Sequence, residues 1–89
     1  MISKTAEYAI RAIAALSRAP GPGPVGSGTL SRSTGIPANY LSKIMHALGR
    51  AGLVDSVRGP GGGFRLARTA RRITAYEIVR HFDDLDDQR

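Results

Sequence analysis

Apolar residues recur at spacings of three and four near the start of the chain, at Ala6, Ala9, Ile10, Ile13 and Leu16. That period lines them along one face of a helix over residues 4–18, with Ser3 placed to cap its first turn. The run Pro20-Gly21-Pro22-Gly23-Pro24 excludes helix and predicts a loop, with Val25 as a very short strand or anchor. Ser27 is placed to cap a short second helix through residue 34. Gly35 follows it, and glycine is the residue favoured just past a helix end. Ile36 pins the turn to the core. Pro37 opens a third helix over residues 37–51, since its missing N–H is one that the first helical turn does not use. Leu41, Ile44, Met45 and Leu48 form the buried stripe of that helix, while Asn39, Ser42, Lys43, His46 and Arg50 fall on the other side. Gly52 ends it.

The pattern then changes from helix to strand. Residues 53–57 read as one strand, Gly59-Pro60-Gly61-Gly62-Gly63 as a turn, and residues 64–66 as the return strand. Arg68, Arg71 and Arg72 make a basic connection to a last helix, where Thr74 and Glu77 have capping-box spacing. Ala75, Ile78, Val79 and Phe82 form its apolar face. The predicted fold is mainly α with a small β-hairpin: a three-helix core, a wing and a following helix, arranged as a winged helix-turn-helix. Residues 1–82 form the domain and residues 83–89 an acidic C-terminal tail with little to bury.

Composition narrows the chemistry. The 89 residues suffice for one small domain, and 42% of them are hydrophobic, an ordinary globular share. The chain has no cysteine, which removes disulfides, thiol catalysis and any thiolate-bound metal or cluster. No signal-peptide pattern and no membrane-length apolar run occurs, so the expectation is a soluble cytoplasmic protein with no membrane partner. His46 and His81 have no second ligand placed beside them, and Ser, His and Asp are not arranged as a triad. Neither metal, cofactor nor enzymatic activity is expected. The net charge of +6 is uneven: residues 1–82 hold twelve Lys and Arg against Glu7, Asp55 and Glu77. A basic body of this kind is an electrostatic footprint for a polyanion, although it also serves solubility alone.

Two features give the polyanion a shape. A helix of the width of the third one fits the major groove of duplex DNA. Asn39 offers donor and acceptor to adenine. Lys43 reaches guanine or phosphate, and Tyr40 and Ser42 reach phosphates or bases. By itself this face is also what any solvated amphipathic helix presents. The hairpin tip Gly59-Pro60-Gly61-Gly62-Gly63 is flanked by Arg58 and Arg65. Its glycines let backbone N–H groups approach phosphates, and Arg58 is long enough for a minor groove. A plain flexible turn is the alternative, and a nucleotide phosphate loop is disfavoured because G-x-x-x-x-G-K-[ST] is absent. The order of the two features, helix-turn-helix and then basic hairpin, points both at duplex DNA. A winged-helix adaptor that binds protein without reading DNA sequence is the competing function, with the acidic tail recruiting a basic partner or folding back over the basic face. Crowding of Arg58, Arg65, Arg68, Arg71 and Arg72 around the wing favours DNA.

The same residues resemble a known family. Ser3-Lys4-Thr5-Ala6-Glu7-Tyr8-Ala9-Ile10-Arg11-Ala12 resembles the opening helix of the Rrf-two (Rrf2) bacterial transcription regulators, and Gly35-Ile36-Pro37-Ala38-Asn39-Tyr40-Leu41-Ser42-Lys43-Ile44 their recognition helix. Ala51-Gly52-Leu53-Val54 and Ser56-Val57-Arg58-Gly59-Pro60-Gly61-Gly62-Gly63-Phe64-Arg65-Leu66 are similar to their strand and wing, and Ile73-Thr74-Ala75-Tyr76-Glu77-Ile78-Val79 to the next helix. The resemblance covers nearly all of residues 1–82 and is most specific in the wing. It implies a transcription regulator that binds a double-stranded DNA operator as a homodimer, with the recognition helix in the major groove and the wing in the minor groove; repression is expected ahead of activation, and the sequence does not decide between them. It implies that Pro37, Asn39, Tyr40, Ser42 and Lys43 line the base-reading surface, that Arg58, Gly59, Pro60 and Gly61 form the wing contact, and that Lys4 and Thr5 contact phosphates. Members of the family usually continue into a sensor loop, often with three cysteines, and a long dimerisation helix. The sequence stops at Arg89 without either, so a short or truncated form without cluster sensing is expected.

Overall fold

A computed structural model describes residues 3–68, 76–80 and 82 of the chain. The elements are α1 (Lys4–Ser17), α2 (Ser27–Thr34), α3 (Ala38–Arg50), β1 (Val54–Val57) and β2 (Gly63–Leu66). Residues 76–80 and 82 are helical, in the region of the predicted last helix. Thr74 with its capping box, Ala75, Arg71, Arg72, His81 and the acidic tail lie outside the described residues.

The Ser3 hydroxyl accepts the Ala6 N–H at 3.1 Å and caps α1, as its position predicted. Ala6, Ala9 and Ala12 are fully buried along α1, and Ile13 and Leu16 nearly so. A stripe of alanines lets α2 and α3 pack close against α1. Ile10, expected in this stripe, is only half-buried, and Ala12 takes the inner place. Leu30, Ile36, Leu41, Ile44, Met45, Leu48 and Leu53 complete the core, with Ile78 and Phe82 closing it from the last helical segment.

The turn between α2 and α3 is set by four residues. Gly35 takes a left-handed conformation, φ +76°, and its N–H bonds the Ser31 carbonyl at 2.9 Å. Ile36 is buried, so its backbone groups need partners inside the protein. Thr34 Oγ1 accepts the Ile36 N–H at 3.2 Å while donating to the Leu30 carbonyl at 2.7 Å. The Ser31 hydroxyl donates to the Ile36 carbonyl at 2.6 Å.

Several element ends differ from the sequence reading. Gly26, rather than Ser27, is the N-cap of α2, and no side chain caps it. The chain enters α2 from Val25, which is pinned to β2, and that anchor sets the helix start one residue early. Pro37 is the N-cap of α3 rather than its first residue, because its ψ of +139° is extended while its carbonyl already accepts the Leu41 N–H. Arg18 and Ala51 are the C-caps of α1 and α3. Leu53 belongs to the close of α3 and not to the strand. Gly52 has φ +79° and its N–H bonds the Gly49 carbonyl, while the Leu53 N–H returns to Leu48 at 3.0 Å, a Schellman closure.

β1 and β2 pair antiparallel with Val54 opposite Leu66, Asp55 opposite Arg65, Ser56 opposite Phe64 and Val57 opposite Gly63. Val25 bonds Phe64 on the other edge of β2 in both directions at 2.8 Å, so the short strand or anchor expected there is present. This pairing brings the Val25 backbone against Gly63. A Cβ at Gly63 would overlap the Val25 carbonyl, whereas a Cβ at Gly23 meets nothing.

Gly63→Ala therefore lowers the unfolding free energy by about 2–4 kcal/mol in urea titration, the range for strain and overpacking at a fixed backbone contact. Gly23→Ala, in the loop between α1 and α2 where a Cβ meets nothing, leaves the midpoint in place. Thr34→Val costs about 1–3 kcal/mol in the same titration because it leaves the buried Ile36 N–H unpaired, and Thr34→Ser restores most of the loss.

Candidate nucleic-acid interface

The apolar stripe of α3 faces inward, so its remaining positions face solvent. Asn39, Ser42, Lys43 and His46 are all exposed along one row of the helix, and α3 contains no acidic residue. Pro37 is exposed at the entry of this row. The sequence-predicted base-reading residues thus share one surface, with the exception of a second engagement at Tyr40. The Tyr40 hydroxyl lies 2.8 Å from Thr5 Oγ1, and its ring meets Tyr8 edge-on with centroids 5.4 Å apart. Tyr40 and Thr5, expected as separate DNA contacts, are bonded to each other across α1 and α3.

Lys4, the other predicted contact on α1, sits over the Tyr8 ring with Nζ 5.0 Å from the centroid. Arg11 stacks on Tyr8 at 5.4 Å and donates to the Thr34 carbonyl at 3.1 Å. Tyr8 and Arg11 were not singled out from the sequence. The available signal was the helical spacing of Lys4, Tyr8 and Arg11, a row on the side of α1 away from its apolar face.

The wing presents Arg58, Gly59, Pro60 and Gly61 to solvent. Its tip is tight: the Gly62 N–H bonds the Gly59 carbonyl at 2.9 Å, and Gly59 and Gly61 have φ of +92° and +75°. A side chain is disfavoured at both of those backbone conformations. Arg58 and Arg65 flank the tip in sequence but are not equivalent in space. Arg65 lies on the outer face of the hairpin directly across from Asp55, with Nε 3.9 Å from the carboxylate and both side chains about 55% exposed. An exposed pair at that distance contributes little to stability, yet it places a negative charge beside Arg65 that Arg58 does not share.

Between α3 and the inner face of the hairpin runs an open cleft of about 430 Å³, lined by Ser42, Met45, His46, Arg50, Ser56 and Phe64 among others. His46 and Arg50 therefore stand between helix and wing. Arg68, at the exit of β2, reaches Glu77 of the last helical segment at 2.5 Å and ties the wing back to the body. Among the described residues no three His, Asp or Glu side chains gather to hold a metal ion, and the sequence has no cysteine. Among the described residues no helix is long and apolar enough to cross a membrane.

A family described as "Rrf2: Iron-dependent Transcriptional regulator" matches residues 2–88. The HTH-type transcriptional regulator IscR of Xenorhabdus nematophila is 36% identical over 86 residues, covering 97% of this chain and 52% of that protein. Among solved structures, T. potens IscR superposes with a TM-score of 0.83 at 36% identity, over 91% of this chain and 59% of that one. CymR, the global cysteine regulator of B. subtilis, superposes with a TM-score of 0.84 at 31% identity, over 91% of this chain and 63% of that one. The chain spans about half the length of the curated relatives it matches. With the family profile matched along almost its whole length, and with the helix-turn-helix and wing that these neighbours share, the chain belongs to the Rrf2 family of transcriptional regulators.

Proposed function

We propose that this domain binds double-stranded DNA sequence-specifically and represses transcription by occupying an operator. The observation that carries the reading is the exposed row Asn39, Ser42, Lys43 and His46 on an acid-free α3, flanked by a wing whose tip is Arg58 and glycine backbone. In this reading α3 enters the major groove. Asn39 pairs with adenine and Lys43 with guanine acceptors, and Pro37 and Ser42 pack along the same edge. Arg58 enters the adjacent minor groove, and Gly59, Pro60 and Gly61 bring the backbone up to the phosphates. Lys4 contacts a phosphate from the start of α1, close to the Thr5–Tyr40 pair. Arg65 acts through its charge on the outer face of the wing. The operator-bound form is a homodimer, each copy placing one α3 in a half-site.

Selection of bound duplexes from a random-sequence pool, with fluorescence anisotropy across a salt series, tests this reading. About four neutralised phosphates per chain give a log–log slope of roughly −3 to −4. An enriched motif with that slope is the expected result, and two-fold symmetry in the motif establishes the dimer. Absence of any enriched motif refutes sequence-specific reading.

Asn39→Ala and Lys43→Ala each weaken binding to the enriched motif by about 1–3 kcal/mol, with a smaller loss on random DNA. Equal losses on every sequence would reduce both residues to charge donors. Arg58→Ala loses most on motifs flanked by A·T-rich steps, where a narrow minor groove attracts arginine most strongly. A loss independent of the flanks would remove the wing from that groove.

A further inference from the structure

DNA reading as proposed leaves Arg11 unused, although it is the best-connected exposed cation on α1. Its guanidinium donates to the Thr34 carbonyl at 3.1 Å and lies over the Tyr8 ring at 5.4 Å. The carbonyls at the end of α2 have no partner within their own helix and carry the negative end of its dipole, so a cation there is held by both. Tyr8 in turn packs against Tyr40 in the first turn of α3, and Tyr40 bonds Thr5. These contacts bracket Gly35. One falls on the residue before it and the other in the helical turn after it. Gly35 itself has a left-handed φ, and apart from its two chain neighbours no atom lies within 4 Å of where a Cβ would stand. Gly35 itself is unpacked, Ile36 beside it is held by Ser31 and Thr34, and the flanks of the turn are held from α1 as well.

We infer that Arg11 is a positioning residue for the recognition helix: through Thr34, and through Tyr8 and Tyr40, it fixes the angle at which α3 leaves the turn, and so sets sequence discrimination without touching DNA. The inference rests on the DNA-reading function proposed above. Base-edge hydrogen bonds tolerate errors of only about half an ångström or 10–20° in the groups that make them. Phosphate contacts by flexible lysine and arginine side chains tolerate more. A loosened α3 entry therefore costs specific binding and leaves non-specific binding intact. The planar fork of arginine both stacks on Tyr8 and donates to Thr34, and a lysine of equal charge does not reproduce that pair of contacts.

The test measures affinity of the full chain for the enriched duplex and for a scrambled duplex across a salt series, for Arg11→Lys, Arg11→Met, Tyr8→Leu, Tyr8→Phe and the Arg11→Met, Tyr8→Leu pair. Thermal melts confirm that each variant is folded, and Arg11→Lys provides the conservative variant if Arg11→Met is not. Arg11→Lys, Arg11→Met and Tyr8→Leu each lower the ratio of the two affinities about tenfold, with scrambled-duplex affinity and salt slope unchanged. Tyr8→Phe keeps the ring and the ratio, and the double variant loses no more than its worse single, since both residues serve one chain of contacts. A slope flatter by about one, with equal loss on both duplexes and rescue by lysine, would make Arg11 a phosphate contact and overturn the inference. An unchanged ratio in Arg11→Lys overturns it as well. If the unsubstituted chain prefers neither duplex, the DNA-reading function fails before any variant is compared, and this inference fails with it.

Discussion

Burial of Ile36 between two helices withdraws a backbone N–H and a carbonyl from water, and two hydroxyls at the end of α2 have to replace that water. Thr34 takes the N–H and Ser31 the carbonyl. Much of the remaining geometry depends on this arrangement. With Ile36 seated, the chain leaves Gly35 in one direction, and Pro37 starts α3 from an extended backbone. The stripe Leu41, Ile44, Met45 and Leu48 then meets α1 and α2, and the polar row of α3 is left outside. A weak polar contact at a turn thus decides which side of a helix is free to read another molecule.

The parts of the fold that were legible in the sequence are those governed by local chemistry. The stripe of α3 stood out because its period is unbroken and its other positions are polar. Gly35 and Gly52 were legible as helix ends because left-handed backbone is a requirement that few residues meet. The helix ends that moved are those where a distant partner overrides the local preference. Ser27 is a better cap than Gly26 by propensity, but Val25 is held on β2 and the helix begins one residue sooner. Leu53 has strand character, yet its N–H is claimed by Leu48.

The candidate site residues divide along the same line. Asn39, Ser42, Lys43 and Arg58 were legible because exposure follows directly from helix period or from a turn. The link between Thr5 and Tyr40 was not, and neither were the roles of Tyr8 and Arg11, since each depends on how α1 lies against α3. Asp55 beside Arg65 follows only from the strand register. The two arginines around the tip look symmetrical along the chain and differ in the fold, one solvated at the tip and the other facing a carboxylate.

The backbone bridge between Val25 and Phe64 joins the wing to a loop from the other half of the chain. An isolated two-stranded hairpin is marginal in water, and here its second edge is completed only when the first helix and its following loop have been delivered to it. Closing so long a segment carries an entropic cost that local contacts do not, so a wing paired on both edges of β2 requires the chain between Val25 and Phe64 to be in place. Partly folded chains then carry the arginines of the wing without the shape that aims them. The bridge makes the finished wing a certificate that the whole domain has assembled.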